Sequence, residues 1–204
     1  MDVSHHQSSV DWEAAKNEGI RFVYIKATEG VDWIDDRYRM HDQDARDHGL
    51  AVGAYHYFTF CADGGRQAAH FLAHMDLRSG DLPPAVDVEA GGNCTTNPDP
   101  DSLRKSLGEF NRIIAAGTGR EPIIYTTQVF YWRYFPHGFG QSRFWIRNLL
   151  WCPGDAALSP FCQYAVAGIK GAAPGEQAEP VDQNAFHGNE AEFRRLLIPT
   201  ASKD

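Results

Sequence analysis

Along the chain, polar and apolar positions switch between two rhythms: short alternating or unbroken apolar runs, and longer stretches spaced by three and four. Each rhythm predicts an element. Asp2-Val3-Ser4 reads as a first strand passing into the polar run His5-His6-Gln7-Ser8-Ser9. A helix follows from Asp11, its N-cap, through Asn17, and Gly19 ends it. Residues 21–28 (RFVYIKAT) form a strong second strand with Glu29-Gly30 at its tip, and a helix capped by Asp35 or Asp36 runs to about His48 before Gly49. Residues 51–58 (AVGAYHYF) are the third strand, Gly64-Gly65 precedes a helix to about Arg78, and residues 82–89 (LPPAVDVE) are the fourth strand. Asp101 or Ser102 caps a helix through Ala116, stopped by Gly117 and Gly119, and residues 122–126 (PIIYT) form the fifth strand.

Beyond this point the helices thin out. Residues 129–135 give one short helix, residues 143–147 (RFWIR), 161–164 (FCQY) and 179–182 brief strands, and residues 190–197 a terminal helix. Strands alternating with helices predict a parallel sheet wrapped by crossovers. Eight strands with about five full crossover helices make an α/β fold, an irregular TIM-like barrel that is regular at first and abbreviated at its end. No repeat or low-complexity linker divides residues 1–204, so one domain is expected.

The stretch 82–89 concentrates the candidate chemistry. Successive strand side chains point to opposite faces, so Asp87 and Glu89 share one face with Cα atoms roughly 6–7 Å apart. Like charges packed together in low dielectric raise at least one pKa. Two carboxylates so placed suit glycoside hydrolysis, one as proton donor and one facing the developing cation. The other reading is a strand end whose acids cap a helix or pair with an arginine.

In such barrels the chemistry sits at the C-terminal strand ends. Those ends carry Asp2 and Ser4, Thr28 and Glu29, Tyr55 to Tyr57, Asp87 and Glu89, Tyr125, Trp145 and Arg147, Gln163, and Asp182 with Asn184. The set is acidic, aromatic and amide-rich, without the lysine cluster or Gly-rich loop that nucleotides and sugar phosphates require. A formal charge of −8 argues against nucleic acid as a partner. The apolar runs fall short of a membrane span. The aromatic share of 12% suits either sugar stacking or core packing.

The strand ends, taken in order, resemble the glycoside hydrolase family 25 lysozymes, the Chalaropsis-type N-acetylmuramidases. The matching segments are Asp2-Val3-Ser4 with Gln7, residues 22–30 (FVYIKATEG), residues 53–57 (GAYHY), Leu82-Pro83 with Asp87 and Glu89, Gly119-Arg120 with residues 122–126, Phe144-Trp145-Ile146, Gln163-Tyr164, and Val181-Asp182 with Asn184. The resemblance implies an irregular barrel that hydrolyses the β-1,4 bond between N-acetylmuramic acid and N-acetylglucosamine in peptidoglycan. On matching positions it implies Glu89 as general acid, Asp87 as its catalytic partner, and Asp2 and Asp182 as further carboxylates of the active face. Tyr55, Tyr57, Tyr125, Trp145 and Gln163 complete the expected substrate-binding set. Two mechanisms stay open: Asp87 attacks the anomeric carbon, or it steers the sugar's 2-acetamido group to do so. His6 stands where the family often has Trp, and Arg147-Asn148 replaces its usual alanine and tyrosine.

No cofactor and no metal is expected. His70 and His74 share a helix face but lack the acid of a zinc motif. Tyr55 and Tyr57, rather than His56, are expected to face inward. Glu29 either contributes to the cleft or, as is commoner beside glycine, serves as a turn or cap acid. His5 and His6, near the active end, either contact sugar or bond structurally. Trp12, Trp33, Trp132 and Trp151 lie off the strand ends, in core or rim. Of the four cysteines, Cys152 and Cys162 are spaced to close a short loop or to stay reduced. No signal peptide precedes the first strand, which points to a phage lysin, a delivered toxin with an immunity protein as partner, or an enzyme with a trimmed leader. The expected state is a monomer acting on peptidoglycan glycan strands. The alternatives are a non-catalytic glycan-binding barrel and a chitin-directed hydrolase.

Overall fold

A computed structural model describes residues 1–148, 152, 159–168 and 180–199. In order along the chain lie β1 (Asp2–Val3), α1 (Trp12–Asn17), β2 (Phe22–Glu29), β3 (Trp33–Ile34), α2 (Tyr38–Asp47), β4 (Ala51–Tyr57), α3 (Gly64–His74) and β5 (Ala85–Asp87). There follow α4 (Pro100–Thr118), β6 (Ile123–Thr127), α5 (Gln128–Tyr134), β7 (Phe144–Arg147), β8 (Phe161–Gly168), β9 (Pro180–Phe186) and α6 (Glu190–Leu196). Strands β2, β4, β5, β6, β7 and β8 pair in parallel in that order. Strand β9 is antiparallel to both β8 and β1, and β1 pairs in parallel with β2, which closes an eight-stranded barrel.

The α/β barrel read from the sequence is therefore present, with differences in detail. The last strand runs against its neighbours and extends to Phe186. An antiparallel neighbour can follow without a crossover helix. The two-residue β3 folds back on β2 outside the ring through Thr28↔Ile34 and Glu29↔Trp33. Neither Asp35 nor Asp36 caps α2, whose N-cap Arg37 has no side-chain bond. Asp35 is instead buried and accepts from the His5 and Arg37 backbone N–H groups. Asp99 caps α4 ahead of Pro100, whose missing N–H costs nothing at a first helical position. That helix passes Gly117 and ends at Gly119, whose φ of 70° favours glycine.

Strand alternation sorts the core into two layers. Val23, Ile25, Val52, Ala54, Val86, Ile124, Phe144 and Ile146 point outward and pack with helix residues such as Ala68, Phe71, Leu107 and Phe110. Phe22, Tyr24, Leu82, Ala85, Ile123, Tyr125, Trp145 and Phe161 fill the barrel interior, with Leu196 of α6 in the same cluster. Fully burying side chains of this size contributes about 1.5–3 kcal/mol each. Tyr24 stacks on Trp145 at 4.9 Å between centroids, and Tyr125 meets Trp145 edge-on at 4.8 Å. Gly53 makes room for this layer, since a Cβ there would collide with the Tyr24 ring. An aromatic floor thus lies beneath the inward positions that follow on each strand.

Candidate active site

Those following positions are polar. Ala85 points into the barrel and Val86 and Val88 outward, so Asp87 and then Glu89 continue the inward face of β5. The register sets Asp87 between Tyr57 and Tyr125. Pairing persists past the strand end: Phe58 N–H donates to Asp87 O and Val88 N–H to Tyr125 O, each at 2.9 Å. The Glu89 backbone is thereby held in line.

The two acids open into a cleft of about 460 Å³, whose walls include all the residues expected at the site: Asp2, Tyr55, Tyr57, Asp87, Glu89, Tyr125, Trp145, Gln163 and Asp182. Antiparallel pairing sets Asp182 opposite Asp2. His56 faces the other way, bonded to Thr28 at 2.8 Å and Gln67 at 3.2 Å, and burial lowers its pKa to about 3. Trp145 is only 2% exposed, so it presents little surface to a ligand.

A hydrogen-bonded chain fixes one acid. Trp145 Nε1–H donates to Asn184 Oδ1 at 2.8 Å, Asn184 Nδ2–H donates to Asp2 Oδ2 at 2.7 Å, and Gln163 Nε2–H donates to the same oxygen at 3.2 Å. Tyr125 O–H donates to Gln163 Oε1 at 2.9 Å. Asp87 is held differently. It is 9% exposed, and its Oδ1 has no hydrogen-bond partner.

All four carboxyl groups are pushed above their ordinary range, chiefly by desolvation. Asp2 rises to about 7, with Asp182 adding to the effect and the Asn184 bond opposing it. Asp87 rises well above 3.8 through burial and then through Glu89 and Asp2, while Lys26 opposes the shift. Glu89 rises through burial, with Arg147 opposing and Asp182 reinforcing. Asp182 rises through burial and is likewise opposed by Arg147. Desolvation and mutual repulsion in such a cluster favour the protonated form of its members, the form a proton donor needs.

One cleft residue was not picked out from the sequence. Lys26 lines the cleft, bonds Glu29 Oε2 at 2.7 Å, and lies 4.8 Å from the Trp33 ring centroid and 4.9 Å from that of Tyr57. Its signal was a lysine two positions beyond Tyr24 and four beyond Phe22 on an inward strand face. Glu29 lines the cleft too, rather than acting only as a turn acid, as do His5 and His6. His70 and His74 instead bond backbone carbonyls, of Trp33 and His70 respectively. Trp12 is buried, Trp33 and Trp132 are exposed, and Trp151 lies outside the described residues.

The loop after Glu89 is pinned to the end of β4. Asn93 Nδ2–H donates to Phe58 O at 2.8 Å and Glu89 O at 3.1 Å, and its Oδ1 accepts from Phe60 N–H at 2.9 Å. Tyr57 O–H bonds Gly91 O, and a disulfide joins Cys61 to Cys94. A second disulfide joins Cys152 to Cys162. Their sulfurs lie near His187, the one grouping of potential metal ligands among the described residues, but disulfide sulfurs are not available as thiolate ligands.

A pair of carboxyl groups at the C-terminal mouth of an α/β barrel floored with aromatic rings suits glycoside hydrolysis. Comparison with known proteins gives the family. The model for glycosyl hydrolases family 25 matches residues 1–159. Lysozyme M1 of Streptomyces globisporus is 32% identical over 224 residues, covering 98% of this chain and 71% of its own. The N,O-diacetylmuramidase of a Chalaropsis species is 33% identical over 138 residues, or 62% of this chain and 64% of its own. A solved family 25 glycosyl hydrolase from Bacillus anthracis matches with a TM-score of 0.87 at 30% identity, covering 97% of this chain and 92% of that one. The chain belongs to glycosyl hydrolases family 25.

Proposed function

We propose that the chain is a muramidase that cuts the β-1,4 bond between N-acetylmuramic acid and N-acetylglucosamine in peptidoglycan, with Glu89 as proton donor and Asp87 as its partner. The observation that carries this reading is that Asp87 and Glu89 project from consecutive inward positions of one strand into the cleft, with Asp87 Oδ1 buried and unpartnered. A buried acceptor without a donor costs about 1–3 kcal/mol, a cost relieved when an N–H arrives. The 2-acetamido group of the sugar supplies that N–H, and holding it there turns its carbonyl oxygen toward the anomeric carbon. Of the two routes, this geometry favours the substrate-assisted one.

Glu89 gives its proton to the glycosidic oxygen as the bond from that oxygen to the anomeric carbon breaks and the acetamido oxygen bonds to the same carbon. Water then attacks the anomeric carbon, opens the cyclic oxazolinium and returns a proton to Glu89. Asp87 must be ionised to stabilise the cationic ring, a state that Lys26 and the incoming N–H both favour. Asp2, Asp182, Tyr55, Tyr57 and Gln163 meet the sugars, while Trp145 and Tyr125 support them from below. The whole chain then serves as one catalytic domain, sufficient as a monomer. It acts on the cell wall, as a lysin or a delivered effector. In the effector case an immunity protein would have to cover this cleft.

Mass analysis of borohydride-reduced fragments from digested cell wall tests the reading. Muramitol ends are expected, without release of ends from chitin oligomers. Glucosaminitol ends, or turnover of chitin alone, would replace muramidase by another glycosidase.

A further inference from the structure

At the opposite end of the barrel, Arg120, Arg143 and Arg195 line one cavity of about 280 Å³. They come from the turn after α4, the residue before β7, and α6, far apart in sequence. Arg143 and Arg195 are exposed, and Arg120 is half-buried with Nη2–H donating to Leu197 O at 3.4 Å. Other arginines of the chain hold carboxylates: Arg46 pairs with Asp42 and Asp81, Arg78 with Asp76, and Arg194 with Glu190. Among the described residues, no carboxylate lies within 4.0 Å of these three. One acid, Glu121, also lines the cavity, which leaves an excess of positive charge on a chain whose formal charge is −8.

We propose that this cavity binds the oxyanion of a phosphate group. Guanidinium forks donate paired hydrogen bonds to phosphate oxygens and keep their charge at every accessible pH. The cavity, close to the lower size limit of small-molecule pockets at about 300 Å³, leaves room for such a group together with water or a neighbouring group of the same ligand. Because it opens away from the cleft, a bound phosphate does not compete with a glycan strand. The group belongs either to free inorganic phosphate or to a phosphodiester polymer lying beside the glycan, and the chemistry of recognition is the same.

Calorimetric titration with inorganic phosphate at fixed ionic strength, on the wild type and on Arg143→Gln/Arg195→Gln, tests the site. Saturable binding is expected, weakened at least about tenfold in the double variant. Circular dichroism and turnover of soluble glycan oligomers should be unchanged, since neither residue touches the cleft. No saturable binding, or equal binding by the variant, overturns the proposal. A parallel titration with poly(glycerol phosphate) distinguishes the sources: tighter binding per phosphate than the free ion assigns the polymer, and weaker binding assigns the ion.

Discussion

Asn184 Nδ2–H donates to Asp2 Oδ2 at 2.7 Å, in an orientation set from the far side of the same amide. Trp145 Nε1–H can only donate, so Asn184 must turn its oxygen to the indole and its nitrogen to the carboxylate. An aromatic ring in the barrel floor thereby aims an acid in the cleft. In Asn184→Leu, Asp2 loses a donor and the indole N–H is left buried and unpaired. The expected loss is about 2–3 kcal/mol of stability, read by urea denaturation. Activity should fall as well, because Asp2 loses its orientation.

Stability should depend on pH in the sense opposite to ordinary acid denaturation. Asp2 is raised from 3.8 to about 7 in the folded state. Its contribution is full below 3.8 and is lost as pH rises through about 7. The raised Asp87, Glu89 and Asp182 act in the same direction. Asp2→Asn keeps an acceptor for Asn184 and removes the charge. Because Asp2 remains part exposed, the gain at pH 8 is on the order of 2 kcal/mol, with little change at pH 4. Melting curves across that range check it, and a variant equal to wild type at pH 8 would refute the burial argument.

The Cys61–Cys94 disulfide bridges 33 positions and ties the loop after Glu89 to the end of β4. Loop-closure entropy for that separation is worth about 3–4 kcal/mol. Cys61→Ser/Cys94→Ser should melt at a lower temperature by a margin consistent with that loss. Asn93 still bonds Phe58 and Glu89, so turnover well below the melting point should fall only modestly. A melting temperature equal to wild type would contradict this account, in which the bond acts by restricting the unfolded chain.

Much of the cleft was legible because strand alternation is dictated by covalent geometry: once β5 is recognised, Asp87 and Glu89 must share a face. The ordered strand ends carried the remaining acids and rings in the same way. Contacts between distant segments leave no local rhythm. The Cys61–Cys94 pair depends on β4 lying beside β5, and the Trp145–Asn184–Asp2 chain and the antiparallel direction of β9 on closure of the ring, so periodicity could not show them. Lys26 escaped notice because a lysine inside an apolar strand is unfavourable until Glu29, Trp33 and Tyr57 surround it. The cap of α4 falls at Asp99, two or three residues before the expected Asp101 or Ser102, and α2 has no side-chain cap, because several acids precede each helix and local spacing does not choose between them.

The most direct measurement is reducing-end release from purified peptidoglycan by the wild type, Glu89→Gln and Asp87→Asn, with folding of each variant verified by circular dichroism. Loss of the proton donor is expected to slow turnover by about 10²–10⁴-fold, and loss of the neighbouring charge to slow it substantially as well. Release by folded Glu89→Gln at the wild-type rate would contradict the assignment of Glu89 as the acid.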